Sequence, residues 1–249
     1  MLHSTFTNRY EIKYLASLEQ ARALKESLSN VFSLDKNSSK NLGYYNYSIY
    51  LDSPNYLFYR EKQEGILKRM KPRLRTHLKS LDDEPRKWFL ELKGRHGRTV
   101  QKGRTEISEE STNMILNGSF HNNRHDLNSN QFEVLFNKHA LLPVVSVLYF
   151  REPFNSELFP NVRITFDSRI SGSLDFSTEK FSNRKSFLFP PSKILIELKY
   201  NDSIPMFILN LFNKNNLQEI TFSKFALCLE SCFDKIPNSS RLNANFFRI

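Results

Sequence analysis

In the stretch KRMKPRLR, residues 68–75, Arg69, Lys71, Arg73 and Arg75 occupy every second position, with Met70, Pro72 and Leu74 between them. Alternate side chains of a β-strand share a face, so the segment offers four cations on one side and mostly apolar groups on the other. Four like charges in a row repel one another unless something anionic faces them. The pattern recurs along the chain. Arg9, Glu11 and Lys13 share a face, as do Glu91, Lys93 and Arg95, and Lys102, Arg104 and Glu106. Arg163, Thr165 and Asp167 follow the same rule, and so do Glu197 and Lys199. One such strand is the ordinary half-buried strand of an antiparallel sheet. The set as a whole is too rich in Arg, Lys and Glu for ordinary solvent faces. A sheet closed on itself would turn these faces inward around a tunnel. Charges in such a lumen are tolerable only when paired or bound to ligand. Many cations with a few carboxylates suit a polyanion carrying a divalent metal: the cations hold phosphate oxygens and the carboxylates hold the metal.

The elements that must position these residues follow from periodicity. Strands are expected at 9–15, 44–53, 68–75, 87–95, 99–108, 143–154, 162–170 and 192–200. Residues 17–32 read as a helix capped by Ser17, with Leu18, Ala21, Leu24, Leu28, Val31 and Phe32 as its apolar stripe. A short helix at 56–65 ends at Gly65. Residues 109–142 read as helical, broken by a polar stretch at 117–130, and two helices lie near 204–213 and 223–234. Pro72 cannot donate to a ladder, which predicts a bulge or an edge there. With no interdomain linker, residues 1–249 read as one domain.

Composition narrows the chemistry. Lys and Arg number 36 against 26 Asp and Glu, so 36 − 26 gives a formal charge of +10, which suits a polyanionic partner or simply a basic surface. Only 7 glycines leave no room for an extended Gly-rich phosphate loop. Cys228 and Cys232, the 2 cysteines, read as core thiols rather than a disulfide framework. The six histidines, at 3, 77, 96, 121, 125 and 139, are expected on turns or helices at the surface. The aromatics are expected on the apolar strand faces, which argues against a stacking platform for nucleic acid. No apolar run approaches the ~20 residues of a membrane span, and MLHSTFTNRYEIKY does not read as a signal peptide. A soluble cytoplasmic protein is expected.

The series YEIKY (10–14, an ExK signature), SIYLDSPNYLFYREKQEGILKRMKPRLR (48–75), FLELKGR (89–95), VQKGR (100–104), YFREPF (149–154), RITFDSRI (163–170), ILIELKY (194–200) and TFSKF (221–225) resembles the triphosphate tunnel metalloenzymes. Among them it is most similar to the polyphosphate polymerase domain of the vacuolar transporter chaperone (VTC) family, over about residues 9–225. The resemblance implies an α+β fold: a closed antiparallel barrel of about eight strands with helices packed outside. It implies transfer of the γ-phosphate of ATP onto a growing polyphosphate chain. Arg73, Arg75, Lys93, Arg163 and Lys199 would act on the transferring phosphate. Lys13, Arg69, Lys71, Lys102, Arg104, Arg151, Ser223 and Lys224 would bind phosphate. Glu197 would hold Mn²⁺ or Mg²⁺, with Glu11 or Glu91 beside it. Thr221 stands where some members carry another basic residue. A membrane-protein partner at the inner face of a membrane is a further implication, whereas nucleic acid is not expected. A tunnel triphosphatase and a non-catalytic polyphosphate binder use the same cations and remain open at this point.

Overall fold

The computed structural model describes residues 9–35, 38, 42–85, 87–96, 99–122, 126–177 and 192–233. Its strands are β1 Arg9–Ser17, β2 Ser33–Leu34, β3 Tyr44–Asp52, β4 Lys68–Leu78, β5 Trp88–His96, β6 Thr99–Ile107, β7 Leu142–Asn155, β8 Val162–Ser173, β9 Lys193–Asn201 and β10 Gln218–Glu219. Its helices are α1 Leu18–Leu28, α2 Leu57–Gln63, α3 Glu109–Leu116, α4 Leu127–His139, α5 Met206–Lys214 and α6 Lys224–Glu230. The expected strands all form. The two-residue strands β2 and β10 are too short to carry a period and have no counterpart in the sequence reading.

All pairings are antiparallel, in the order β10-β1-β9-β8-β7-β3-β4-β5-β6, with β2 on β7. The fold is α+β, but two features of the expected barrel are corrected. The sheet has ten strands, and it is not closed, since no ladder joins β6 to β1 among the described residues. The free edge of β1 is partly taken by β10, through Tyr14↔Glu219 and Leu15↔Gln218. Side chains span the remaining gap instead: Lys93 on β5 reaches Glu11 on β1 at 3.5 Å. The sheet therefore curls into a trough whose two ends face each other.

Alternation sorts the two faces. On the outer face, Tyr47, Ile49, Leu74, Trp88, Leu90 and Leu92 pack under Phe132 and Phe136 of α4. Val162, Ile164, Phe166, Ile196 and Leu198 pack under Ala21, Leu24 and Leu28 of α1 and Ile208 and Phe212 of α5. Helix α1 starts where the sequence places it, because Ser17 accepts from Gln20 N while the Gln20 side chain accepts from Ser17 N. Helix α4 starts at Leu127, inside the polar stretch, because Asp126 caps it through Asn128 and Ser129 N–H groups. The basic strand β4 is internal, between β3 and β5, and runs past Pro72 without a register shift. Pairing with β3 stops at Tyr50↔Arg73, one residue short of Pro72. Pro72 thus lies at a local edge, and no bulge is needed.

Helix α6 corrects a third expectation, that the helices all pack outside. Phe225, Ala226, Cys228 and Leu229 pack on Tyr50, Val145, Val147, Tyr149, Ile170 and Leu195, all on the inner face. The sheet makes room for it at Gly172: a Cβ there would lie 2.7 Å from the Cβ of Cys228 and 3.0 Å from its Cα. Gly172→Ala should therefore push α6 away from the sheet, into the trough, and cost about 1–3 kcal/mol, the range of overpacked cores. Thermal melts should show Tm falling by at least about 2 °C; an unchanged Tm would mean that α6 is held loosely.

Candidate phosphate-binding trough

The inner face gathers its cations around buried carboxylates. Glu91, with 0% exposure, is the first centre. Arg73 donates to its Oε2 from Nε at 2.8 Å and Nη2 at 2.6 Å, and from Nη1 to the Tyr50 hydroxyl at 3.0 Å. Lys102, Arg75 and Arg104 lie 3.2, 3.6 and 3.8 Å from the same carboxylate. The strand register makes this cluster inevitable, since Glu91 stands opposite Arg73 on one side and Arg104 on the other. Burial would raise the Glu91 carboxyl, but Arg73, Arg75 and Lys102 hold it well below the usual carboxylate range.

The second centre joins Glu197 and Asp167. Arg151 forks onto Asp167 at 2.6 Å through both Nε and Nη2, and reaches Glu197 at 2.9 Å. Lys224, at the start of α6, bridges the same two carboxylates at 2.6 and 2.7 Å. Lys199 adds a contact to Glu197 at 2.7 Å. Burial works against the charge on Glu197, yet Lys199, Lys224 and Arg151 keep its pKa well below normal. The Tyr149 ring lies beneath both Arg151 and Lys224, 5.1 and 4.7 Å from its centroid.

A third group lines the seam where the ends of the sheet meet. Glu11 pairs with Lys13 at 3.1 Å and Lys93 at 3.5 Å. Lys13 also donates to the Phe222 carbonyl at 2.7 Å. Lys71 donates to Ser223 Oγ at 3.1 Å, and that hydroxyl also accepts from Ala226 N–H. Burial, then Lys13 and Lys93, lower the Lys71 pKa well below that of an ordinary lysine.

The sequence-predicted residues Lys13, Lys71, Arg73, Arg75, Lys93, Lys102, Arg104, Arg151, Lys199, Ser223 and Lys224 thus share one face with Glu11, Glu91 and Glu197. Two others sit apart. Arg163 stands opposite Lys199 in the ladder but pairs with Asp35 at 3.1 Å. Arg69 lies at the head of β4, in the field of Glu61. Sequence reasoning missed Asp167 as a site residue, although it shares the Arg163 face. It also missed Tyr50 and Tyr149. The expectation that aromatics stand on the apolar faces is corrected, for Tyr44, Tyr50, Phe89 and Tyr149 are on the charged one. His77 is exposed, as expected, but it lies on strand β4, on the face of Arg75, and not on a turn or helix; His96 ends strand β5. Cys228 and Cys232 are free and buried, as expected.

Glu197 and Glu11 lie on either side of Lys199 and are hard carboxylate donors, the type Mg²⁺ and Mn²⁺ take. Among the described residues no three His, Cys, Asp or Glu side chains stand together as a protein-only metal cage. A divalent ion fits this donor set if phosphate oxygens and water complete its shell. Glu91 belongs to the other cluster, away from this pair.

Lys71 gives a test that needs no substrate turnover. Between its lowered folded-state pKa and the ordinary lysine value, the unfolded chain binds a proton that the folded chain does not. Stability should therefore rise with pH across that window, and the cost of Lys71 is fully present below it. Lys71→Met should raise Tm at pH 7 by at least about 2 °C and weaken tripolyphosphate binding, read by calorimetry. A lower Tm with unchanged binding would make Lys71 a structural residue.

The curled antiparallel sheet gathers its cations around buried carboxylates on one face, an arrangement suited to a polyanion. The VTC domain model matches residues 8–233, and the chain belongs to the VTC domain family. Among solved structures, a candidate adenylate cyclase from Bacillus halodurans is 12% identical, with a TM-score of 0.52 over 87% of this chain and 95% of that one. This likeness shows a shared fold. The PH1819 protein of Pyrococcus horikoshii OT3 is 16% identical, with a TM-score of 0.48 over 90% of this chain and 99% of that one. The Mimivirus capping enzyme triphosphatase is 12% identical, with a TM-score of 0.38 over 83% and 90%. No curated protein matches the chain. Among the described residues, no helix is long and apolar enough to cross a membrane.

Proposed function

We propose that the protein is a polyphosphate polymerase that moves the γ-phosphate of ATP onto the end of a polyphosphate chain. The observation that carries the reading is the pairing of Arg73, Arg75, Lys102 and Arg104 around Glu91 with Arg151, Lys199 and Lys224 around Glu197 and Asp167. Phosphoryl transfer asks the protein chiefly for in-line positioning and for neutralisation of charge on the transferring group. Arg73 and Arg75 are held in place by Glu91, and Arg151 by Asp167, so each guanidinium is oriented before substrate arrives. Burial lowers the Lys199 pKa to about 8, so the amine still carries its charge at neutral pH and is available to phosphate. The family fold uses a divalent metal; Glu197 and Glu11 would hold Mg²⁺ or Mn²⁺ here, and the ion would offset phosphate charge. The acceptor is an ionised terminal phosphate, so no general base is required. Lys13, Lys71 and Lys93 at the seam would hold the chain, with Ser223 as a hydroxyl contact. Arg163 and Arg69 would act from the margins.

Incubation of the pure protein with ATP and Mn²⁺, followed by gel analysis, tests the reading. A ladder of phosphatase-resistant, polyphosphatase-sensitive product supports it. Release of inorganic phosphate alone would make the protein a triphosphatase. Neither product, with tight polyphosphate binding, would make it a binding module.

A further inference from the structure

The two ends of the charged face are chemically different. At the seam end the groups are amines: Lys13, Lys71 and Lys93, with the Phe225 ring beside Lys71 buried. At the other end, where β3, β4, β5 and β6 meet, the face is aromatic. The Tyr44 ring stands edge-on to His77 at 5.2 Å, and His77 lies 6.4 Å from Phe89. The guanidinium carbon of Arg104 stands over one face of Phe89, 3.5 Å from its centroid. Asn46, the cross-strand partner of His77, is 1% exposed, and among the described residues its Nδ2 finds no hydrogen-bond partner. A buried amide donor without a partner costs about 1–3 kcal/mol, so a ligand atom that pairs with it gains binding energy. Phosphate alone has no use for flat rings or for a neutral imidazole. An aromatic base with polar edges uses both, through stacking and through edge hydrogen bonds.

We infer that Tyr44, Asn46, His77 and Phe89 form a subsite for the base of a nucleoside triphosphate whose phosphates run along Arg75 and Arg73 toward the second carboxylate centre. The inference rests on the phosphate reading above and adds a direction: the nucleoside enters at the aromatic end, and the phosphate chain leaves past the lysines of the seam. His77 suits the role because it does not compete with Arg75 and Arg104 for charge. Desolvation, then Arg75 and Arg104, push its pKa below that of a free imidazole, and although the side chain stays exposed at the rim, the ring is neutral at working pH. A neutral imidazole offers one donor and one acceptor.

The test compares ATP with tripolyphosphate, which has the phosphates but no base. Phe89→Leu keeps an apolar side chain and removes the flat ring; His77→Ala removes the neighbouring edge. Each should weaken ATP binding by about 5- to 150-fold, the range for loss of one stacking partner, and leave tripolyphosphate affinity within about twofold. A second readout uses the unaltered protein: the fluorescence of etheno-ATP should be quenched on binding, as stacking requires. Equal losses for both ligands in the variants, or an unquenched bound probe, would overturn the subsite and leave the phosphate reading standing. Failure of the unaltered protein to bind tripolyphosphate would overturn the phosphate reading, and this inference with it.

Discussion

Arg73→Ala should cut turnover of the folded protein by at least ~100-fold, the scale of losing one preorganised charge stabiliser in a transition state. Arg69→Ala should cost less than about tenfold. The two arginines sit four residues apart on the same face of one strand, so sequence position alone does not separate them. Their surroundings do. Arg73 is fixed by Glu91 through two donors and by the Tyr50 hydroxyl through a third. Its guanidinium therefore arrives oriented, and little entropy remains to be lost when phosphate binds. Arg69 lies at the margin, outside both carboxylate centres. Steady-state rates of Ala variants at 69, 71, 73 and 75, measured side by side, decide the matter. Equal small losses at all four would mean that the trough acts as a diffuse positive field and not as an oriented site. Because Arg73→Ala also strips a partner from the buried Glu91, circular dichroism of each variant must accompany the rates. Lys102 at 3.2 Å remains to hold that carboxylate.

The strands and their faces were legible because the alternation is local and both faces are chemically extreme. Glu91 could be placed opposite Arg73 only once the register was known, yet its membership of the charged face was plain from Leu90 and Leu92 on either side. What the sequence could not carry was tertiary. Whether β6 meets β1 depends on a gap bridged by Lys93 and Glu11 side chains, and no local pattern encodes that. Helix α6 carries Phe225, Ala226, Cys228 and Leu229, an apolar set that fits an outer helix as well as an inner one. Only Gly172, which leaves space for Cys228, marks its true place. Phe89 was misjudged for a related reason. Aromatic residues are usually read as core, and a single ring among cations has no periodicity to betray it. Asp167 was seen on the charged face, but its weight became apparent only when Arg151 and Lys224 converged on it.

Glu197→Gln should abolish the response to divalent metal and lower turnover by at least ~100-fold, because it touches both halves of the second centre. The substitution keeps shape and removes the negative charge. Glu197 now balances Lys199, Lys224 and part of Arg151. With the amide in place, Asp167 alone opposes Arg151 and Lys224, and Lys199 faces only the more distant Glu11. Two consequences diverge in sign. Tripolyphosphate should bind more tightly without metal, since more uncompensated positive charge faces it, and that gain should shrink as salt rises. Catalysis should fall, since a divalent ion would have lost its principal carboxylate and Glu11 alone would not retain it. Stability should drop as well, by about 3–5 kcal/mol if the buried cations are left without a partner, and added phosphate should restore part of that loss by mass action. Metal titrations of activity, together with calorimetry in the presence of chelator, read both signs. A Glu197→Gln protein that keeps its Mn²⁺ dependence would remove the metal assignment. One that binds tripolyphosphate less tightly under chelator would show that Glu197 is a structural counter-ion holding Lys199 and Lys224 in place, and that its charge does not oppose the ligand.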